Sequence, residues 1–149
     1  MKINDVSFNQ DVIIKPIEAR WFQIPHPFEF KVYLEGQGVV TYNISEGFLF
    51  DGRSGGPLID FVAPNLGNQE ELKSWIAHDV MFYDKGSFSF KEANEILIYQ
   101  LKKYCGYGWF KRWLIARGVA TAEHAFGVPI IGEKEFVNVG KIHIRHSDK

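Results

Sequence analysis

From Phe28 the chain alternates apolar and polar residues, Phe28-Glu29-Phe30-Lys31-Val32, before Tyr33 and Leu34. Alternation with a period of two marks a strand with one buried face. Gly36-Gln37-Gly38 follows as a turn signal, so this strand is expected to form a hairpin with Val39-Val40-Thr41-Tyr42-Asn43-Ile44. Upstream, Val12-Ile13-Ile14 and Trp21-Phe22-Gln23-Ile24 read as further strands, and Pro25 and Pro27 bracket a break around His26. Residues 12–50 therefore read as strands. A glycine-rich loop, Asp51-Gly52-Arg53-Ser54-Gly55-Gly56-Pro57, and an irregular stretch to Gly67 close this half.

The apolar period then lengthens to that of helices. Asn68 with Glu71 three residues on matches a capping box, and Leu72, Trp75, Ile76 and Tyr83 follow on one face. Ser89 with Glu92 repeats the pattern before a stripe of Phe90, Ala93, Leu97, Leu101 and Tyr104, which Gly106 and Gly108 end. A third helix is expected from Trp109 to Phe126, with Trp109, Trp113, Ala116 and Ala120 inward, before Gly127 and Pro129. The tail from Phe136 to His146 is strand-like with a bend at Gly140, inside an extension spanning 133–149. The order predicts an α+β domain: an N-terminal antiparallel hairpin or sheet packed against three helices, with a C-terminal strand. A length of 149 residues suits a single domain, 1–149.

Composition narrows the partners. Net charge is -1, which removes nucleic acid as the default partner. No run approaches the ~20 apolar residues that a membrane span needs. Met1-Lys2-Ile3-Asn4-Asp5 has no apolar signal core, so a soluble, unexported protein is expected. Cys105, the single cysteine, excludes an intrachain disulfide and reads as a small buried residue rather than a nucleophile. Aromatic residues make up 15% of the chain, with 13 Phe and 4 Trp, which favours either a dense core or a sticky interface. Lys111, Arg112 and Arg117 beside Trp109 and Trp113 read as a solvated helix face over a tryptophan-rich core, in preference to a nucleic-acid stacking surface.

The densest chemistry is His78-Asp79 in the first helix. Neighbours on a helix point about 100° apart, so one can act as a general base while the other holds a cation or a loop. Asn94 lies on or beside the buried stripe of the second helix and needs hydrogen-bond partners, which His78 or Asp79 can supply. A histidine held at one ring nitrogen has the fixed tautomer that base catalysis requires. The simpler reading makes His78, Asp79 and Asn94 a polar pin between two helices, and it is preferred. The Asp51–Pro57 loop suits carbonyl ligation of Ca²⁺ with a carboxylate from Asp79 or Asp51. A tight connection capped by Asp51 is again the simpler account. His143 and Arg145 share one face of the last strand while His146 falls on the other, which disfavours a shared metal. His124 stands near the end of the third helix, where an imidazolium suits the helix dipole.

Three segments carry a resemblance. Ser45-Glu46-Gly47-Phe48-Leu49-Phe50-Asp51-Gly52-Arg53-Ser54, Trp75-Ile76-Ala77-His78-Asp79-Val80-Met81-Phe82-Tyr83 and Phe90-Lys91-Glu92-Ala93-Asn94-Glu95-Ile96-Leu97 resemble a small uncharacterised family of tailed phages and prophages. That family has a Gly-Phe-x-Thr-Asp-Gly-Ala-Ser loop, a Val-His-Asp-Tyr-Leu-Tyr helix and an Ala-Asp pair on the next helix. The likeness covers about residues 20–127, with Phe50, Arg53 and Asn94 standing where the family has threonine, alanine and aspartate. It implies phage origin more firmly than an activity. A more distant likeness, to secreted and parvoviral phospholipases A2, rests on the same order of glycine-rich calcium loop, His-Asp helix and orienting residue. It implies that His78 would activate water, Asn94 would orient it, and Asp79 with the Asp51 loop would hold Ca²⁺. An amide at position 94 supplies no charge to an imidazolium, which weakens that chemistry.

Two functions are therefore expected, in this order. The first is a non-catalytic virion or accessory protein, located in the host cytoplasm during infection or built into the virion. Its partners would be other phage proteins, and a homo-oligomer is compatible with the aromatic surplus. The second is a small Ca²⁺-dependent, phospholipase A2-like hydrolase of esters or lipids.

Overall fold

A computed structural model describes residues 1–17, 21–51, 68–84, 86–126 and 142–147. The hairpin sits where the alternation places it. β4 (Phe28–Leu34) pairs antiparallel with β5 (Gly38–Ile44), matching Phe30 to Tyr42 and Val32 to Val40. Gly36 and Gly38 take φ of 72° and 92° in the turn, a region that a Cβ disfavours. β1 (Ile3–Phe8) pairs with β4, and β7 (Ile142–Ser147) pairs with β5, giving a four-stranded antiparallel sheet in the order β1-β4-β5-β7. A second sheet, ordered β2-β3-β6, joins β2 (Lys15–Pro16), β3 (Trp21–Ile24) and β6 (Phe48–Asp51).

Phe28, Phe30, Val32 and Leu34 are buried at alternate positions of β4, so a single face carries the core. Register aligns Phe8, Phe30 and Tyr42 across three strands, and their rings stack at 5.0 and 4.8 Å. Phe88 continues the row beside Tyr42 at 6.5 Å. Cross-strand aromatic pairs of this kind each add about 0.2–1 kcal/mol over alanine. This face packs with Leu72, Ile76, Val80, Ala93 and Ile96 from the helices in one cluster.

The helices are α1 (Gln69–Asp84), α2 (Phe90–Lys103) and α3 (Trp109–Phe126). The α+β class is as expected. Asn68 Oδ1 accepts from the amides of Glu70 and Glu71 at 2.9 and 3.2 Å, which caps α1. The Ser89–Glu92 box at the head of α2 is complete in both directions. Ser89→Ala is therefore expected to cost about 1 kcal/mol of stability, read from the urea midpoint at unchanged slope.

Three expectations are corrected. Val12-Ile13-Ile14 is not a strand: only Val12 is buried, and Gln69 clamps its backbone through Val12 N to Oε1 (2.9 Å) and Nε2 to Val12 O (2.8 Å). The polar N-terminus instead forms β1, whose buried contribution comes chiefly from Val6. The third correction concerns α3. Trp109 and Trp113 are not inward but 73% and 48% exposed, and Ile115 is the buried anchor. Ile115 packs with Trp75, Leu97 and Leu101, so the helix turns its aliphatic side to α1 and α2. The side chain of Ala120 and residues 127–141 lie outside the described residues.

Candidate functional site: the His78–Asn94 contact

α1 is buried without interruption from Ser74 to Phe82. An amphipathic surface helix would expose a polar stripe, so this helix is enclosed on all sides. Its polar residues are consequently desolvated. His78 is 0% and Asp79 1% exposed. Ser74 removes its own polar group by donating Oγ–H to the Glu70 carbonyl at 2.7 Å.

His78 projects toward α2, where its Nε2 lies 2.8 Å from Asn94 Oδ1. With the amide oxygen as acceptor, the imidazole proton sits on Nε2 and the lone pair on Nδ1. The ring is walled by residues one turn away on either side. Phe82 lies at 4.0 Å between centroids, and Trp75 stands edge-on at 6.1 Å. Phe82 in turn packs against Phe90 at the start of α2, at 4.3 Å. Burial in this apolar wall pushes the His78 pKa down to about 4, against a smaller opposing effect of the Asn94 bond. His78 is thus neutral at pH 7.

The second ring nitrogen is different. His78 Nδ1 is buried and has no hydrogen-bond partner among the described residues. The adjacent Asp79 Oδ1 stands 4.0 Å away, beyond hydrogen-bond reach. Asp79 itself is not without a partner. A buried orphan acceptor costs on the order of 1–3 kcal/mol, and a purely structural pin leaves this atom unused.

The expected constellation is brought together in part. His78 and Asn94 meet directly, and Asp79 follows His78 in the buried stretch. Asp51 ends β6, but its side chain and the loop from 52 to 57 lie outside the described residues, as does the proposed calcium cradle. Among the described residues no group of three His, Cys, Asp or Glu side chains is placed to hold a metal ion. His143 and His146 stand in register with Asn43 and Val40 of β5. Cys105 is half-buried, and burial pushes its thiol up to about 11, so it is a protonated bystander at neutral pH.

The sequence reading missed a surface feature. Trp109, Phe110 and Trp113 form an exposed aromatic cluster at the start of α3. A signal was present: Trp109 and Phe110 are neighbours, and two neighbours about 100° apart cannot both lie at the centre of one inward stripe.

Comparison with protein-family models gives no match, and neither curated proteins nor solved structures give one.

Proposed function

We propose that the protein is a non-catalytic virion or accessory component of a tailed phage or prophage that acts through contacts with other phage proteins. The observation that carries this reading is the closure of the site. His78 has no solvent exposure, is held to Asn94 and is a weak base, so it presents no reactive atom to a substrate. A neutral imidazole bonded from the buried α1 to the half-buried Asn94 accounts for the pair as a pin that fixes how α1 meets α2. Phage origin rests on the resemblance of the Ser45–Ser54, Trp75–Tyr83 and Phe90–Leu97 segments. The test is made on infected or induced host cells. The protein is expected to sediment with purified particles or their assembly intermediates, and the pure protein should turn over no generic ester or phospholipid with Ca²⁺ present. Turnover by a protein absent from particles would reverse the reading.

One observation favours a second reading, hydrolysis of an ester or lipid. The orphan lone pair on His78 Nδ1 is where a general base would take a proton from water, with Asn94 holding Nε2 and Asp79 adjacent. Ca²⁺ would supply polarisation of the ester carbonyl, with Asp79 and Asp51 as the candidate carboxylates. This reading requires the site to open, and it is sunk if Ca²⁺ neither binds nor supports turnover that His78→Ala removes.

A further inference from the structure

We propose that the C-terminal turn of α2 guards the open edge of β1, and so holds the chain back from pairing strand to strand with a second copy of itself. The proposal is independent of the reading above, because it concerns the end of α2 and not the His78–Asn94 contact. It starts from topology. Among the described residues β1 has a single neighbour, β4, so its other side is an edge of the four-stranded sheet. An open edge offers a row of backbone donors and acceptors to any strand that approaches. Backbone groups point alternately to the two sides of a strand. Asn9 N donates to Glu29 O on the β4 side, so by alternation Ser7 and Asp5 also turn to β4, and Val6 turns to the open side.

The backbone groups on either side of Asp5 are both taken by side chains. The Val6 N–H donates to Asp5 Oδ1 at 2.9 Å. The Asn4 carbonyl, at the register shift between Ile3 and Asp5, accepts from the Tyr99 hydroxyl at 2.7 Å. A strand added to this edge would need that donor and that acceptor.

The end of α2 supplies what holds these caps. Lys103 is its last residue, Tyr104 its C-cap, and Tyr99 stands one turn before Lys103. Lys103 Nζ donates to Asp5 Oδ1 at 3.0 Å and to the Tyr99 hydroxyl at 3.1 Å, so one ammonium holds both capping groups. The same ammonium lies over the Tyr99 and Tyr104 rings, 5.5 and 5.3 Å from their centroids. The Tyr104 hydroxyl also donates to Asp5 Oδ1. Burial opposes the charge on Asp5, but the bonds from Tyr104, Lys103 and Val6 N outweigh it and keep the carboxyl below its ordinary pKa. At neutral pH Asp5 is therefore a carboxylate, an acceptor with nothing to donate.

Stability alone does not account for this arrangement. An exposed ion pair contributes little, and a lysine at a helix end ordinarily serves the helix's own last carbonyls. Here Tyr99, Lys103 and Tyr104 all reach across to two consecutive residues of one strand edge, Asn4 and Asp5. The partner held off is a second copy, because a two-fold axis beside β1 brings the edge to itself in the closed form that symmetric dimers take. Such pairing would also bring two Asp5 carboxylates to one seam, where like charges oppose it.

The test is self-association of the full chain, followed by sedimentation velocity across a concentration series. Asp5→Ala/Tyr99→Phe removes both caps and is expected to self-associate about tenfold or more strongly than wild type. Its Val6 amide should exchange with deuterium more slowly as concentration rises. Ser89→Ala, at the opposite end of α2, loses a helix cap without touching β1 and should associate no more than wild type. Tyr99→Phe alone deletes one hydroxyl and should shift association the same way by about threefold, a readout that survives if the double variant does not fold. The proposal is overturned if neither variant of Tyr99 associates more strongly than wild type, or if Ser89→Ala associates as strongly as they do. It is equally overturned if association leaves the exchange of the Val6 amide unchanged.

Discussion

His78→Ala is expected to lower the free energy of unfolding by about 3 kcal/mol, the largest effect of any single change at this site. Two losses combine. The fully buried ring leaves a cavity between Trp75 and Phe82, and Asn94 Oδ1 loses its donor. Relief of the orphan Nδ1 offsets part of this. Asn94→Ala should cost less, about 1–2 kcal/mol, because Asn94 is only part-buried. The two changes are expected to be non-additive by about 1 kcal/mol, since each alone abolishes the same bond. Urea unfolding of wild type, both single variants and the double variant measures the coupling. Additive losses would mean that the 2.8 Å contact contributes nothing to holding α1 on α2.

The second large effect is on acid stability. Burial holds the His78 pKa at about 4, below the ordinary 6.5 that applies in the unfolded chain. Between those values the unfolded state takes up a proton that the folded state refuses, so stability falls as the pH drops. The contribution is fully present above about pH 6.5 and is lost by about pH 4, amounting to about 3 kcal/mol over the window. His78→Gln cannot titrate, so its stability should change less between pH 7 and about pH 4.5 than that of wild type, by about 2–3 kcal/mol. The other four histidines are common to both proteins, and the difference isolates His78. Parallel stability curves for the two proteins would show that His78 is not desolvated.

The parts of the fold that were legible in the sequence are those where local chemistry and burial agree. Alternation from Phe28 to Val32, the glycine turn after Leu34, and the caps at Asn68 and Ser89 each act over a few residues, and each is found where its pattern lies. The link from α1 to Asn94 was legible because a polar residue beside a buried stripe requires a partner. What local pattern does not contain is which of two apolar stripes faces in. α3 carries Trp109, Phe110 and Trp113 on one side and Ile115 on the other, and only packing against Trp75, Leu97 and Leu101 selects the second. β1 escaped for a related reason. Asn4, Asp5 and Ser7 hide its period, and its pairing with β4 is made by a partner more than twenty residues away. Val12 misled in the opposite sense, since its burial is enforced by the Gln69 clamp rather than by a strand.

The account rests on a sealed, neutral His78, and the nitrogen spectrum of its imidazole tests that directly. A long-range ¹H–¹⁵N correlation, recorded against pH with and without Ca²⁺, reports the tautomer, the charge and any ligand at Nδ1. The account predicts a neutral ring with its proton on Nε2, unchanged from pH 8 to about pH 5 and indifferent to Ca²⁺. A ring that titrates near its ordinary value, or whose Nδ1 signal moves when Ca²⁺ is added, would contradict it and point to an accessible working site.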